Sequence, residues 1–130
     1  MQNEELIQAY ETAETALKKY TMLYDLAPMG YFTISGDGSI CELNLTGAEI
    51  LGERHFGLIK ANIKAFVSDE SMKVFNMFFD EIFTSSHKVS CVATILTGND
   101  TEKKVYFEGV ATDDNNHCLI SVIDVSNLCP

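Results

Sequence analysis

Leu26-Ala27-Pro28-Met29-Gly30-Tyr31-Phe32-Thr33-Ile34 is followed by Asp37-Gly38-Ser39-Ile40, and then by Glu42-Leu43-Asn44 leading into Leu51-Gly52. The order reads as helix stop, strand, turn, strand and helix cap. Pro28 has no backbone donor and closes any preceding helix. Gly30 to Ser35 carries aromatic and β-branched residues that suit a strand. Asp37-Gly38 marks a hairpin turn, because glycine accepts positive φ without steric cost. Ser39 to Leu43 is then the partner strand. Asn44 is a good N-cap for a short helix that ends at Gly52.

Upstream, Glu4 to Tyr24 is expected to form one helix. Asn3 is placed to cap it, and Glu4 and Glu5 favour the positive end of its dipole. Leu6, Tyr10, Ala13, Leu17, Tyr20 and Tyr24 recur at alternating steps of four and three, a heptad-like stripe. Glu14 and Lys18 pair one turn apart on the outside. The stripe covers only about three heptads, near the lower limit for a coiled coil. It has two readings: packing against its own domain, or against a second copy.

Downstream, Glu53 to Val67 is irregular, with small helical turns. Ser68 caps a longer helix, 68–84, with Asp69 and Glu70 in its first turn. Met72, Phe75, Phe78, Phe79, Ile82 and Phe83 fall on one face of it, and Lys73, Asn76, Asp80 and Glu81 on the other. Ser85-Ser86 ends it. Lys88 to Leu96 and Lys103 to Thr112 are strands joined through Gly98-Asn99-Asp100. After the turn Asp113-Asp114-Asn115-Asn116, Cys118 to Val125 is the last strand. Helices segregated from hairpin-joined strands predict an α+β fold with an antiparallel sheet. The last strand is apolar on both faces (Leu119, Ile120, Val122, Ile123, Val125), which implies that the sheet's outer face is also covered, by the N-terminal helix, by a second copy, or by both.

A chain of 130 residues with 46% hydrophobic and 22% charged residues is a single globular domain. Its net charge of −10 repels nucleic acid and anionic membranes. No apolar run reaches the ~20 residues that span a bilayer, and the acidic start lacks the charge of a secretory signal. Cys41, Cys91, Cys118 and Cys129 show neither disulfide nor zinc spacing and read as buried thiols in a reducing cytoplasm. His55, His87 and His117 fall at loops or element ends and read as solvated residues. No nucleophile elbow, phosphate loop or zinc-protease helix is present, so catalytic and metal residues are expected to be absent.

The run from Leu26 to Gly52, closed by Asp124-Val125-Ser126 near the C-terminus, resembles the start and end of a PAS domain, the sensory module of bacterial signalling proteins. The resemblance runs from Tyr24 to Asn127. It implies a PAS-like five-stranded antiparallel sheet with helices on one face, which enclose a small cavity, preceded by the N-terminal amphipathic helix. It divides the chain into a dimerisation helix at 1–24, the PAS domain at 25–127, and the start of a linker to a missing output domain at 128–130. It implies a homodimer that relays a signal to a tethered or separate output domain. Asp124 and Ser126 take the place of the family's Asp-Ile-Thr exit element, with serine for the commoner threonine; an ordinary helix cap uses the same chemistry.

The family's coloured cofactors lack their attachment residues. Haem-binding relatives place a histidine on the long helix, and none stands between Ser68 and Thr84. Flavin-binding relatives carry a reactive cysteine where this chain reads Gly52-Glu53-Arg54-His55-Phe56. The cysteine that anchors a coumaroyl group has no counterpart. Phe32, Ile34, Ala93, Ile95, Val105 and Phe107 alternate inward on the strands, with Phe75, Phe79 and Ile82 facing them from the long helix. They either line a pocket for a small apolar or mixed ligand or fill it. The chain therefore reads as a non-catalytic relay module. The alternatives are the non-catalytic fragment of a sensor histidine kinase, and a ligand-free protein–protein docking domain.

Overall fold

A computed structural model describes residues 2–128. Cys129 and Pro130, the end of the expected linker, lie outside the described residues. In chain order the elements are α1 (Gln2–Asp25), β1 (Gly30–Ser35), β2 (Ile40–Leu43), α2 (Leu45–Leu51), α3 (His55–Leu58), α4 (Met72–Thr84), β3 (Val89–Leu96), β4 (Glu102–Ala111) and β5 (His117–Asp124). Short 3-10 turns lie at Ile63–Phe66, Asp69–Ser71 and Ser126–Leu128.

Two expected caps shift. Asn3 lies inside α1 rather than capping it, because the helix already includes Gln2. Ser68 accepts a hydrogen bond from the Ser71 amide, so it caps the 3-10 turn Asp69–Ser71, and α4 begins only at Met72. Asn44 does cap α2, with its side chain accepting from the Gly47 amide, and Gly52 closes α2 in the left-handed conformation at φ 71°.

The five strands form one antiparallel sheet in the order β2-β1-β5-β4-β3, which puts β5 at its centre between β1 and β4. Strand alternation sends one face into a single core with α2, α3 and α4. Two close approaches set the helices on this face. Gly30 and Gly47 bring β1 and α2 so near that a Cβ on Gly30 would stand 2.8 Å from the Gly47 Cα. Gly109 of β4 leaves room for Ile82 and Phe78 of α4.

Within one chain the outer face of the sheet is left partly open, so α1 is not the cover that the apolar last strand calls for. Leu119, Val92 and Leu96 are 50%, 51% and 42% exposed. Nor does α1 fold back along its own sheet. Residues 3–23 are all exposed, and only its last turn touches the domain, where Tyr24 stacks on Tyr31 with ring centres 6.0 Å apart. The helix leaves the sheet at its C-terminal end, so its stripe from Leu6 to Tyr20 has no partner among the described residues.

Candidate functional site

A small ligand of this fold would have to enter the interior. Phe32, Ile34, Phe75, Phe79, Ile82, Ala93, Ile95, Val105 and Phe107 are all buried and belong to one cluster. Their rings fill the space between α4 and the sheet. Phe75 meets Phe107 edge-on at 5.2 Å and lies 5.7 Å from Phe78 and 6.1 Å from Phe79. Such contacts give close packing its enthalpy and leave little room for a guest. The concavities of the surface lie elsewhere. One, of about 320 Å³, sits on the outer sheet face between Tyr24, Tyr31, Thr33, Val110, Leu119 and Ser121, with the exposed Lys88–Glu108 pair, 3.6 Å apart, at its rim.

Where α1 joins the domain, Asn44 does more than cap. Its side chain is fully buried and uses its whole hydrogen-bonding capacity. Oδ1 accepts from the Tyr31 amide at 2.9 Å and the Gly47 amide at 2.8 Å. Nδ2 donates to the Tyr24 carbonyl at 2.6 Å and the Met29 carbonyl at 3.1 Å. The amide orientation is unambiguous, since both neighbours of the oxygen are donors and both neighbours of the nitrogen are acceptors. Thr46 adds a hydroxyl that donates to the Ala27 carbonyl at 2.6 Å, with the Asp25 carbonyl 3.4 Å away as its alternative acceptor. The start of α2 thus holds the last carbonyls of α1. Sequence reasoning identified the cap and missed this tether. A cap motif signals only the acceptor half of an asparagine, and the donor half is spent on residues 15 and 20 positions away.

At the other terminus, Asp124 shares inward strand parity with Ile120 and Val122 yet is exposed, because β5 ends there. Its carboxylate accepts from the Ser126 amide at 2.9 Å. Partial burial pushes its pKa up, but the Ser126 donors and the Lys103 charge outweigh this and hold it below the usual carboxylate range. Ser126 Oγ accepts from the Lys104 amide at 2.9 Å, and the Val125 amide donates to the Lys104 carbonyl at 2.9 Å. The exit turn is therefore stitched to the start of β4. Of the expected dimer-helix residues, Leu6, Tyr10, Ala13, Leu17 and Tyr20 stand exposed, and Tyr24 is half-buried at the tether.

The cysteines and histidines differ in part from the reading as buried thiols and solvated rings. Cys118 is buried, its thiol pushed up to about 12 by desolvation and then by Cys41, and half-buried Cys91 is pushed up to about 11 by desolvation. Both are poor nucleophiles at neutral pH. Cys41 is exposed. A bulge shifts the register between Thr33 and Ile34, which pair with Glu42 and Ile40, so Cys41 is the extra residue and turns outward. His55 is half-buried, and its Nε2–H donates to the Leu43 carbonyl at 3.0 Å, which ties α3 to the end of β2. Among the described residues no His, Cys, Asp or Glu side chains gather as a metal site, and no helix is long and apolar enough to cross a membrane.

No family model matches this sequence, and no curated protein matches it. Solved structures do. The PAS domain of an HTR-like protein from Haloarcula marismortui aligns over 90% of this chain and 98% of its own, with a TM-score of 0.76 at 14% identity. A domain of a sensory box sensor histidine kinase/response regulator from Geobacter sulfurreducens aligns over 82% and 92%, with a TM-score of 0.66 at 14% identity. The PAS domain of the RpfR quorum-sensing receptor from Cronobacter turicensis, solved in complex with BDSF, aligns over 76% and 95%, with a TM-score of 0.65 at 16% identity. At such identities the likeness is one of fold. The sheet order, the helices on one face and these alignments agree: the chain has the PAS fold.

Proposed function

We propose that this chain is a non-catalytic sensory relay module that pairs with a second copy through α1 and passes rearrangements of its core to a tethered or separate output domain. The observation that carries the reading is the unpartnered stripe of α1. Leu6, Tyr10, Leu17 and Tyr20 are 66–71% exposed, and the stripe runs through Tyr24 into the apolar groove on the outer sheet face. A second copy laid along it removes this apolar surface from water, at roughly 1.5–3 kcal/mol for each side chain that becomes fully buried. The likeness to domains of a sensor kinase and of a quorum-sensing receptor supports a signalling role. The alternative for the parent protein is a sensor histidine kinase of which this is the non-catalytic fragment. The module then works in a reducing cytoplasm, without a coloured cofactor and without nucleic acid or membrane insertion.

The filled interior favours a second reading, in which the domain docks proteins and binds no small ligand. Two measurements separate the readings. Light scattering of the full chain is expected to give a dimer, and Leu17→Glu with Tyr20→Glu a species of half the mass. Native mass spectrometry then reports whether an apolar or mixed ligand travels with the protein. A wild-type monomer overturns pairing through α1. A dimer whose mass is that of polypeptide alone favours docking over small-ligand sensing.

A further inference from the structure

The α1 junction and the exit turn are linked through α2 and the start of β4. The start of α2 holds α1 through Asn44 and Thr46. Its other end is held from β4. Lys103 Nζ donates to the Ile50 carbonyl at 3.0 Å and lies 3.5 Å from the Glu49 carbonyl, so an ammonium sits where the helix leaves its last carbonyls unpaired. The Gly98 amide fills the next one, donating to the Leu51 carbonyl at 2.9 Å. Lys103 adjoins Lys104, to which the exit turn is bonded, and it shares a sheet face with Asp124, since Asp124 pairs with Val105 two residues on. Gly47, in the middle of α2, rests against Phe32 of the core; a Cβ there would stand 2.9 Å from the Phe32 ring.

We propose that α2 is a coupling rod between the two ends of the chain, so that the exit of α1 and the turn at Ser126–Leu128 move together when the core shifts α2. A seven-residue helix spans only about 10 Å and does not bend over that length. It has polar ties at both ends, and between them Gly47 rests against Phe32 while Ala48, Ile50 and Leu51 are buried in the core, so the helix moves with the core as one piece. A displacement of Phe32 therefore reaches both termini through one rigid body, with Asn44 and Thr46 as positioning residues at one end and Lys103 at the other. This deepens the relay reading by naming its path. It invokes neither dimerisation nor an output domain, so the path can fail while pairing through α1 stands.

The test is the amide NMR spectrum of the full chain carrying Lys103→Met, Lys104→Met or Thr46→Val. Lys103 and Lys104 lose the same charge on adjacent residues of opposite sheet faces, and only Lys103 reaches α2. Lys103→Met is expected to move the Tyr24, Asp25 and Ala27 amide signals, and Lys104→Met to leave them in place. Thr46→Val is expected to move the Ser126, Asn127 and Leu128 signals, with rescue by Thr46→Ser, which keeps the hydroxyl. Shifts confined to the neighbourhood of each substitution, or equal effects of the two lysine variants on α1, overturn the coupling. Should Thr46→Val collapse the dispersion of the whole spectrum, the tie is structural and the proposal falls unless Lys103→Met alone moves the α1 exit with the sheet signals intact.

Discussion

Gly30 is conspicuous among the residues because no larger side chain fits. A Cβ there meets backbone, the Gly47 Cα at 2.8 Å, and backbone cannot swing aside as a side-chain tip does. Gly30→Ala is expected to lower stability by about 1–3 kcal/mol, the usual cost of overpacking. Gly36→Ala, whose nearest neighbour is the Asn116 carbonyl oxygen at 3.7 Å, is expected to be nearly neutral. Urea unfolding of the two variants reads the contrast, and equal midpoints would show that β1 and α2 can part cheaply. Asp124→Ala belongs with the mild changes. The residue is exposed at a strand end, so its loss is expected to cost about 1 kcal/mol or less. A larger loss would make Asp124 a structural cap rather than part of an exit.

The same scale carries a pH dependence. Asp37 accepts from the Ser35 hydroxyl and then from the Ser39 amide, which together hold its pKa down to about 2. Asp114 is lowered by Thr112 and Asn116 in the equivalent turn before β5. A carboxylate depressed in the folded state stabilises it fully above the unfolded-state pKa, and the contribution disappears as pH falls through the folded one. The urea midpoint is therefore expected to fall between about pH 4 and about pH 2. Asp37→Asn keeps an acceptor for the Ser39 amide but cannot titrate, and should flatten that slope. Parallel slopes for wild type and variant would sink the assignment.

At the scale of elements, α4 shows how one face decides a helix's worth. Phe75, Phe78, Phe79 and Ile82 are buried, whereas Met77 on the same helix is 65% exposed. Phe75 touches Phe78 and Phe79 of α4 and Phe107 of β4, so its truncation opens a cavity that these packed rings cannot collapse to fill. Phe75→Ala is expected to cost about 3–5 kcal/mol, and Met77→Ala only a few tenths. Against a total of roughly 5–15 kcal/mol, the first threatens the fold and the second does not. Thermal unfolding distinguishes them, and a small effect of Phe75→Ala would mean that the interior is looser than its burial implies.

For the whole molecule, the governing quantities are a charge of −10 and an apolar surface that begins on α1 and continues onto the sheet. Two copies brought together repel, and salt screens that repulsion over about 30 Å at 0.01 M but only about 8 Å at 0.15 M. The proposed pairing through α1 is therefore expected to tighten as salt rises across that range, as read by sedimentation velocity. Weakening with salt would show that cross-copy ion pairs, rather than apolar burial, hold the pair together.

Much of this architecture was legible in the chain itself. The turn at Asp37-Gly38, the cap at Asn44, the stop at Gly52 and the Phe75–Phe83 face are local events, decided by φ preference, capping chemistry and a period of 3.6. The inward set from Phe32 to Phe107 follows from strand alternation in the same way. What had no local signal is everything that depends on residues far apart in sequence. The outward turn of Cys41 needs a bulge that only pairing with β1 creates. The exposed stripe of α1 depends on the direction in which the helix leaves the domain, and that direction is set by Asn44 and Thr46 holding the carbonyls of Tyr24 and Ala27. A side chain's type says which bonds it can make. Which partners it finds is settled when the sheet closes and brings them within 3 Å.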